Sequence, residues 1–175
     1  MNTQPPIELE TPRLLLRIMQ PSDLDGLQMI FGDPVVMDSF NEQPFVKEQT
    51  QRWMQRNLSH QEQYGYGLFS VILKSENLLI GDCGLEHMEV EGEQKTELGY
   101  DFRSDFWNQG YATEAADAVR DFAFNTLKLP GLISLVRKGN LSSRRVAEKI
   151  GMTLDEEITR YNTSYWVFSM KNPTT

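Results

Sequence analysis

The chain has 175 residues, of which 39% are hydrophobic and 24% charged, and its formal net charge at pH 7 is -8. This length and composition are typical of one globular domain, here residues 1–175, with a sizeable core. The negative charge argues against a nucleic-acid partner and suits a cationic amine or a basic peptide, although many cytosolic proteins are acidic for solubility.

Several features of the sequence indicate a cytoplasmic location. No apolar run is long enough to cross a bilayer, which argues against a membrane partner, and residues 1–10 lack the basic and apolar blocks of a signal peptide. The chain has one cysteine, Cys83, and therefore forms no internal disulfide. We expect a cytoplasmic monomer or homodimer.

Hydrophobic periodicity and turn residues predict seven strands and four helices after a loose, polar lead-in at residues 1–11. The strands are predicted at residues 13–18, 68–74, 78–85, 96–103, 132–137, 152–159 and 164–170. The helices are predicted at residues 21–31, 45–63, 111–127 and 140–150. Residues 35–44 are expected to form a loop and residues 89–95 a charged turn. Inside the third strand, Gly81 and Gly84 indicate a bulge or a close approach to a neighbouring backbone.

The junction between the fourth strand and the third helix is the most informative stretch. Residues 107–116 read Trp-Asn-Gln-Gly-Tyr-Ala-Thr-Glu-Ala-Ala, so a loop containing Gly110 leads into a helix with apolar residues at helical spacing. The first N–H groups of a helix have no intrahelical acceptor, and the helix dipole adds partial positive charge there. Gly110 lets a ligand approach the backbone and Ala112 adds little bulk, so this loop could hold a phosphate. The alternative is an ordinary strand-to-helix turn.

Several separated stretches together resemble one family. They are Thr11 to Arg17, Ile80-Gly81, Glu97-Leu-Gly-Tyr100, Trp107 to Ala115, and Asn140-x-x-Ser143 to Gly151. This constellation resembles the GNAT family of acetyl-CoA-dependent N-acyltransferases, and especially the subgroup that acetylates the N-termini of ribosomal proteins. The resemblance covers nearly the whole chain. It implies an α/β (α+β) GNAT fold, with a central, mixed, mostly antiparallel seven-stranded sheet, about four flanking helices, and strands four and five splayed to form the cofactor cleft.

The resemblance implies that acetyl-CoA is the acetyl donor and that a primary amine, at a protein N-terminus or on a small molecule, is the acceptor. Backbone N–H groups from Asn108 to Thr113 would hold the pyrophosphate, and the strand near Phe102 would pair with the pantetheine amides. The expected cofactor-binding residues are Phe102, Trp107, Asn108, Gln109, Gly110, Tyr111, Ala112, Thr113, Asn140 and Ser143. No spacing of His, Cys and carboxylate residues predicts a metal site.

Acetyl transfer to an amine needs a base for the amine and an acid for the leaving thiol. Glu97 matches the base position of some members of the family, and Ser143 could contact or protonate the cofactor sulfur. Glu86 and His87 are alternative bases. The carboxylates could also be solvated strand residues, His87 an exposed turn residue, and Ser143 a cap for helix N–H groups.

Two positions depart from the family pattern. Trp107 stands where the pyrophosphate loop usually begins with Gln or Arg, and Ala147 stands where many members carry a tyrosine that acts as general acid. The missing tyrosine keeps a second function open, a non-catalytic acyl-CoA-binding module with a decayed active site. Cys83 lies next to Gly84 and is expected to be a small buried hydrophobe rather than an acyl-carrying nucleophile. A dinucleotide-binding Rossmann domain is excluded because no glycine triplet follows the first strand.

Overall fold

The computed structural model describes residues 7–174, which form an eight-stranded sheet with helices on both faces. The strands are β1 (Glu8–Glu10), β2 (Leu14–Ile18), β3 (Leu68–Leu73), β4 (Leu78–Val90), β5 (Glu93–Phe102), β6 (Gly131–Arg137), β7 (Thr153–Arg160) and β8 (Thr163–Lys171). The helices are α1 (Leu24–Phe31), α2 (Pro34–Asp38), α3 (Lys47–Tyr64), α4 (Tyr111–Asp121) and α5 (Leu141–Lys149). The strand order is β1-β2-β3-β4-β5-β6-β8-β7, and only β5 and β6 run parallel.

The predicted mixed α/β class is confirmed, whereas the predicted number of seven strands is one too few. The additional strand, β1, falls in the segment predicted as a lead-in and pairs antiparallel with β2. It forms because Ile7 and Leu9 pack against the hydrophobic core. Residues 1–6 of the predicted lead-in lie outside the described residues.

The predicted loop at residues 35–44 is partly wrong, because the segment begins inside the short helix α2. Asp33 caps this helix by accepting a hydrogen bond from the Val35 N–H at 2.8 Å, and Pro34 occupies the first helical position. An aspartate followed by a proline is a signal for the start of a helix, and the sequence interpretation did not use it here.

The hairpin of β4 and β5 is longer than predicted. The expected charged turn at residues 89–95 contracts to Glu91 and Gly92, whose φ angles of 49° and 79° are both positive. Two consecutive residues with positive φ are typical of a tight type I′ hairpin turn. The charged side chains beside the turn are exposed, so pairing these residues as strands buries no charge. This turn fixes the register of the whole hairpin, from Val90 opposite Glu93 to Gly81 opposite Phe102.

The sheet separates two hydrophobic clusters. On one face, α4 and α5 contribute Ala115, Ala116, Val119 and Ala147 to the larger cluster. On the other face, α1 and α3 contribute Leu27, Ile30 and Met54, which pack with Leu68 of β3. The predicted helix at 111–127 ends in a π-helical turn at Phe122–Thr126, which allows three consecutive residues, Phe122, Ala123 and Phe124, to be buried. No helix within residues 7–174 is long and apolar enough to span a bilayer.

The two glycines of β4 lie where neighbouring groups leave no room for a side chain. A Cβ atom on Gly81 would lie 2.6 Å from both the Asp101 carbonyl oxygen and the Phe102 ring, and one on Gly84 would overlap the Gly67 carbonyl oxygen. The register between β3 and β4 also shifts next to Val71. The predicted close approach and the predicted bulge are therefore both confirmed.

Strands β5 and β6 diverge almost as soon as they meet. Their parallel pairing consists of one register position, Glu97 opposite Ile133. Next to it, the Ser134 hydroxyl donates to the Leu98 carbonyl oxygen at 2.5 Å. Because no further ladder position joins the two strands, they diverge and leave a cleft between them, so the predicted splaying is confirmed; binding of a cofactor in this cleft stays a prediction.

Candidate active site

The loop after β5 presents an uncapped helix N-terminus. Gly110 precedes α4 with a φ of 83°, and Asn108 has a φ of 60°. The first intrahelical bond runs from the Glu114 N–H to the Gly110 carbonyl at 3.0 Å, so the N–H groups of residues 111–113 precede it. The N-cap residue is Gly110, which has no side chain that could accept hydrogen bonds from them. Residues in the left-handed backbone conformation next to N–H groups without an intrahelical acceptor form a concavity that binds anions.

Arg13 and Glu114 hold this loop in place. The Arg13 side chain donates to the Gln109 carbonyl oxygen at 2.9 Å, forms an ion pair with Glu114 at 2.6 Å, and lies 4.3 Å above the Tyr111 ring. Glu114 also accepts hydrogen bonds from the Thr11 hydroxyl and the Arg13 N–H. Although burial opposes the effect, these bonds lower the pKa of Glu114 below its ordinary value. Sequence reasoning missed this support and predicted only a strand at residues 13–18 in this part of the chain.

The predicted loop residues fall into two groups in the structure. Asn108, Gln109 and Gly110 are exposed, whereas Trp107, Tyr111, Ala112 and Thr113 are half-buried. The Trp107 indole N–H donates to the Phe102 carbonyl oxygen at 2.8 Å, and the Phe102 side chain belongs to the core. Trp107 therefore ties the loop back to the end of β5.

Across the cleft, Tyr100 on β5 reaches the first turn of α5. Its hydroxyl donates to the Ser143 carbonyl oxygen at 2.8 Å and lies 3.4 Å from the Ser143 hydroxyl. Burial raises the pKa of Tyr100, so the phenol is protonated near neutral pH. Asn140 caps α5 by accepting from the Ser143 N–H at 3.0 Å, so the suggestion that Ser143 is the capping residue is wrong. Ala147, one turn further along α5, is fully buried.

Glu97 lies at the point where β5 and β6 diverge. Its carboxylate accepts a hydrogen bond from the Leu135 N–H of β6 at 3.0 Å, so it bridges the two strands. Burial raises the pKa of Glu97 to about 8, against the lowering effect of the Leu135 hydrogen bond. A carboxyl group with such a pKa can exchange a proton near physiological pH. Because β5 begins at Glu93, Glu97 lies within the strand rather than at its predicted start.

Sequence reasoning missed two acidic pairs on one face of the β4–β5 hairpin. Asp82 lies opposite Asp101 and Glu86 lies opposite Glu97, with two glycines, Gly84 and Gly99, facing each other between the pairs. We call this arrangement the acidic slot. Burial raises the pKa of Asp101 to about 7 and, together with the nearby Asp101 charge, raises that of Asp82 well above its ordinary range.

The other residues considered as catalytic candidates, His87 and Cys83, contact protein groups that account for their positions. The His87 ring lies 4.9 Å from the Tyr64 ring, and the His87 N–H donates to His60 Nε2 at 2.8 Å. Cys83 is fully buried and burial raises the pKa of its thiol well above the usual value, as expected of a small core residue. Among residues 7–174, no group of three or more His, Cys, Asp or Glu side chains is placed to hold a metal ion.

Comparison with known proteins agrees with this architecture. The family model described as an acetyltransferase (GNAT) domain matches residues 13–153, and the chain belongs to the GNAT acetyltransferase family. The uncharacterized protein YkkB of Bacillus subtilis (strain 168) is 34% identical over 166 residues, which are 94% of this chain and 96% of that protein.

Two solved structures are informative. An acetyltransferase from Agrobacterium tumefaciens str. C58 is 32% identical, with a TM-score of 0.81 over 97% of this chain and 98% of that one. The ribosomal L7/L12 alpha-N-protein acetyltransferase RimL, solved in complex with coenzyme A, is 15% identical, with a TM-score of 0.76 over 94% of this chain and 98% of that one. At this identity the likeness to RimL shows the shared fold.

Proposed function

We propose that the protein transfers an acetyl group directly from acetyl-CoA to a primary amine. The observation that carries the proposal is the uncapped N-terminus of α4, with Gly110 at positive φ, at the mouth of the cleft between β5 and β6. This arrangement offers backbone N–H groups to a pyrophosphate and an unpaired strand edge to an extended chain. RimL, whose fold is shared, has been solved with coenzyme A.

The residues present fit acetyl-CoA, which would supply an activated thioester. Asn108, Gln109, Gly110, Tyr111, Ala112 and Thr113 would hold the pyrophosphate through their N–H groups. Trp107 would act by fixing the loop to Phe102, whose strand edge would pair with the pantetheine amides. Asn140 would act indirectly, because its side chain orders the first turn of α5 around Ser143.

Two proton transfers are then assigned to residues of this chain. Glu97, at the divergence of the strands, would accept the proton of the amine, directly or through water, in its ionised form. Ser143 would protonate or contact the leaving sulfur. Tyr100 would position Ser143, because its hydroxyl donates to the Ser143 carbonyl oxygen at 2.8 Å and accepts from the Ser143 hydroxyl at 3.4 Å.

An acetylation screen tests the proposal. Purified protein is given acetyl-CoA with representatives of several amine classes, and release of the CoA thiol is measured together with the mass of the product. We expect amine-dependent CoA release and a product heavier by one acetyl group.

The alternative, a non-catalytic acyl-CoA-binding module, is favoured by the buried Ala147 at the position of the usual acid. Calorimetric binding of acetyl-CoA without turnover of any amine would support that alternative and contradict the proposed transfer. Absence of both binding and turnover would contradict both functions.

A further inference from the structure

We infer that His60, as a neutral imidazole, is a positioning residue that holds β4 beside Glu97, and that protonation of its ring releases this hold. The inference rests on the proposed function, in which Glu97 accepts the proton of the amine. His60 acts through the backbone of β4 rather than by contact with the reacting atoms.

The His60 side chain takes the place of a backbone group where β3 stops short. The ladder between β3 and β4 ends with a hydrogen bond from the Leu85 N–H to the Gly67 carbonyl oxygen at 3.1 Å. Two residues further on, the same antiparallel register would place the Gly65 carbonyl opposite His87. Gly65 instead ends α3 with a φ of 76°, so the chain has not yet reached the sheet there. The His87 N–H donates to His60 Nε2 at 2.8 Å in place of that carbonyl.

The two partners of the His60 ring fix its tautomer. A backbone carbonyl only accepts hydrogen bonds, so Nδ1, which lies 2.8 Å from the Tyr66 carbonyl oxygen, carries the proton. A backbone N–H only donates, so Nε2, which faces the His87 N–H, is unprotonated. Protonation of the ring would place a second N–H against the His87 N–H and remove its acceptor. The bridge between α3 and β4 therefore requires the neutral imidazole.

The groups around the His60 ring are aromatic. The Tyr64 ring, one turn further along α3, lies 4.6 Å from it between centroids, and the Tyr66 ring lies 5.7 Å from it. The His87 ring lies 4.9 Å from the Tyr64 ring. Charged residues on the same elements are Arg56 and Glu62 on α3 and Glu86 and Glu89 on β4. Within residues 7–174, none of these four forms an ion pair or a hydrogen bond with His60, so protonation would gain no carboxylate partner.

The residue that His60 anchors lies at the level of the proposed base. His87 directly follows Glu86, which lies opposite Glu97 on β5. Past Leu85, no strand among the described residues pairs with β4 on its β3 side, so the His60 bond is the next anchor there. On the other side, β5 is held to β6 at the single register position of Glu97. Loss of the His60 bond would leave the hairpin unanchored on one side at Glu97, and a small displacement of a catalytic group lowers the rate.

Magnetic resonance of the ring nitrogens tests the bridge directly, since His60 and His87 are the two histidines of the chain. At about pH 7.5, where histidine is mostly neutral, we expect the Nδ1–H tautomer at His60, and the Nε2–H tautomer would overturn the inference. Hydrogen exchange then measures the protection of the residue-87 amide. Because this amide loses one hydrogen bond, its protection should fall roughly 3- to 10-fold between about pH 7.5 and about pH 5.5.

Three variants separate the ring from its surroundings, with thermal unfolding to show that each is folded. His60→Gln can still donate to the Tyr66 carbonyl and accept from the His87 N–H but does not titrate, so it should keep the protection at both pH values. His60→Ala should lose the protection at both. The matched control is His87→Gln, which removes the other imidazole, keeps the backbone N–H and should retain the fall in protection. Protection that is independent of pH in the wild-type protein, or that falls equally in His60→Gln, would overturn the inference.

Kinetics connects the bridge to the proposed reaction. The measured quantity is the kcat of the wild-type protein divided by that of His60→Gln at the same pH, because ionisation of Glu97 and of the amine then cancels. This ratio should be near one at about pH 7.5 and roughly 3- to 10-fold lower at about pH 5.5, with the KM for acetyl-CoA unchanged. A constant ratio would overturn the positioning role. If no amine is acetylated but the tautomer and exchange results are as expected, the bridge stands while the proposed transfer fails.

Discussion

Replacing Glu97 by Gln removes the carboxylate at the divergence of β5 and β6 while keeping an oxygen that can accept the Leu135 hydrogen bond. If Glu97 is the base, kcat should fall by about 100- to 10,000-fold, the usual contribution of a general base. Affinity for acetyl-CoA should change little, because the proposed pyrophosphate contacts lie at α4. Calorimetry with acetyl-CoA checks this second expectation.

The pH dependence of the rate gives a second readout. Burial raises the pKa of Glu97 to about 8, so wild-type kcat/KM should rise with pH up to about 8 as the carboxylate ionises. In Glu97→Gln the rise of kcat/KM that reflects ionisation of Glu97 should disappear. The pH dependence that remains is then due to ionisation of the amine substrate. An unchanged rate and an unchanged pH profile in Glu97→Gln would refute the assignment and direct attention to Glu86 or His87.

Stability supplies a third readout, independent of catalysis. A carboxyl group whose pKa rises from 4.5 to about 8 on folding destabilises the folded state increasingly as pH rises through this interval. Each tenfold change in the acid dissociation constant corresponds to about 1.4 kcal/mol, so burial of the ionised carboxylate lowers the free energy of unfolding by at most about 5 kcal/mol. Glu97→Gln should therefore match the wild-type free energy of unfolding near pH 4.5 and exceed it above pH 8. The matched control is Glu76→Gln, which removes a carboxylate from an exposed turn and should show the same pH dependence of unfolding as the wild-type protein. If Glu97→Gln also follows the wild-type protein at every pH, the burial argument is contradicted.

Three further predictions concern other residues. Cys83→Ala should keep activity close to wild type in the CoA-release assay, because direct transfer needs no thiol nucleophile; loss of activity in a folded variant would contradict direct transfer. Tyr100→Phe and Ser143→Ala should each lower kcat more than they change acetyl-CoA affinity if these hydroxyls assist the leaving thiol, whereas a change in affinity alone would indicate only contact. Asn57→Leu should lower the free energy of unfolding in urea by about 2–4 kcal/mol, because the Asn57 amide donates to the carbonyl oxygen and accepts from the N–H of buried Leu68, both at 2.9 Å. An unchanged urea midpoint of unfolding would contradict this role.

Local patterns in the sequence were sufficient to predict the loop and helix that form the proposed pyrophosphate site. Alternating residues predicted β5, helical spacing predicted α4, and Gly110 marked their junction, as the structure confirms. The support of this loop by Arg13 and Glu114 could not be predicted, because 101 residues separate the two side chains along the chain.

The acidic slot depends on the register of β4 and β5, which the sequence interpretation did not predict. Reading residues 89–95 as one charged turn left the pairing of β4 and β5 undefined. A two-residue turn at Glu91 and Gly92 instead places Asp82 opposite Asp101. Glycine after an acidic residue, between two alternating segments, was the available signal for that turn.

Binding of acetyl-CoA to Gly110→Val, measured by calorimetry, tests the central claim most directly. The matched control is Gly92→Val, because Gly92 also has a positive φ, of 79°, but lies in the β4–β5 turn. Valine is strained at both positions, so both variants should lose similar stability, whereas only valine at 110 obstructs the start of α4. We predict that Gly92→Val binds acetyl-CoA like the wild-type protein and that Gly110→Val binds it at least about tenfold more weakly, the equivalent of 1.4 kcal/mol. Equal affinity in folded Gly110→Val and in the wild-type protein would contradict the proposed site at the N-terminus of α4.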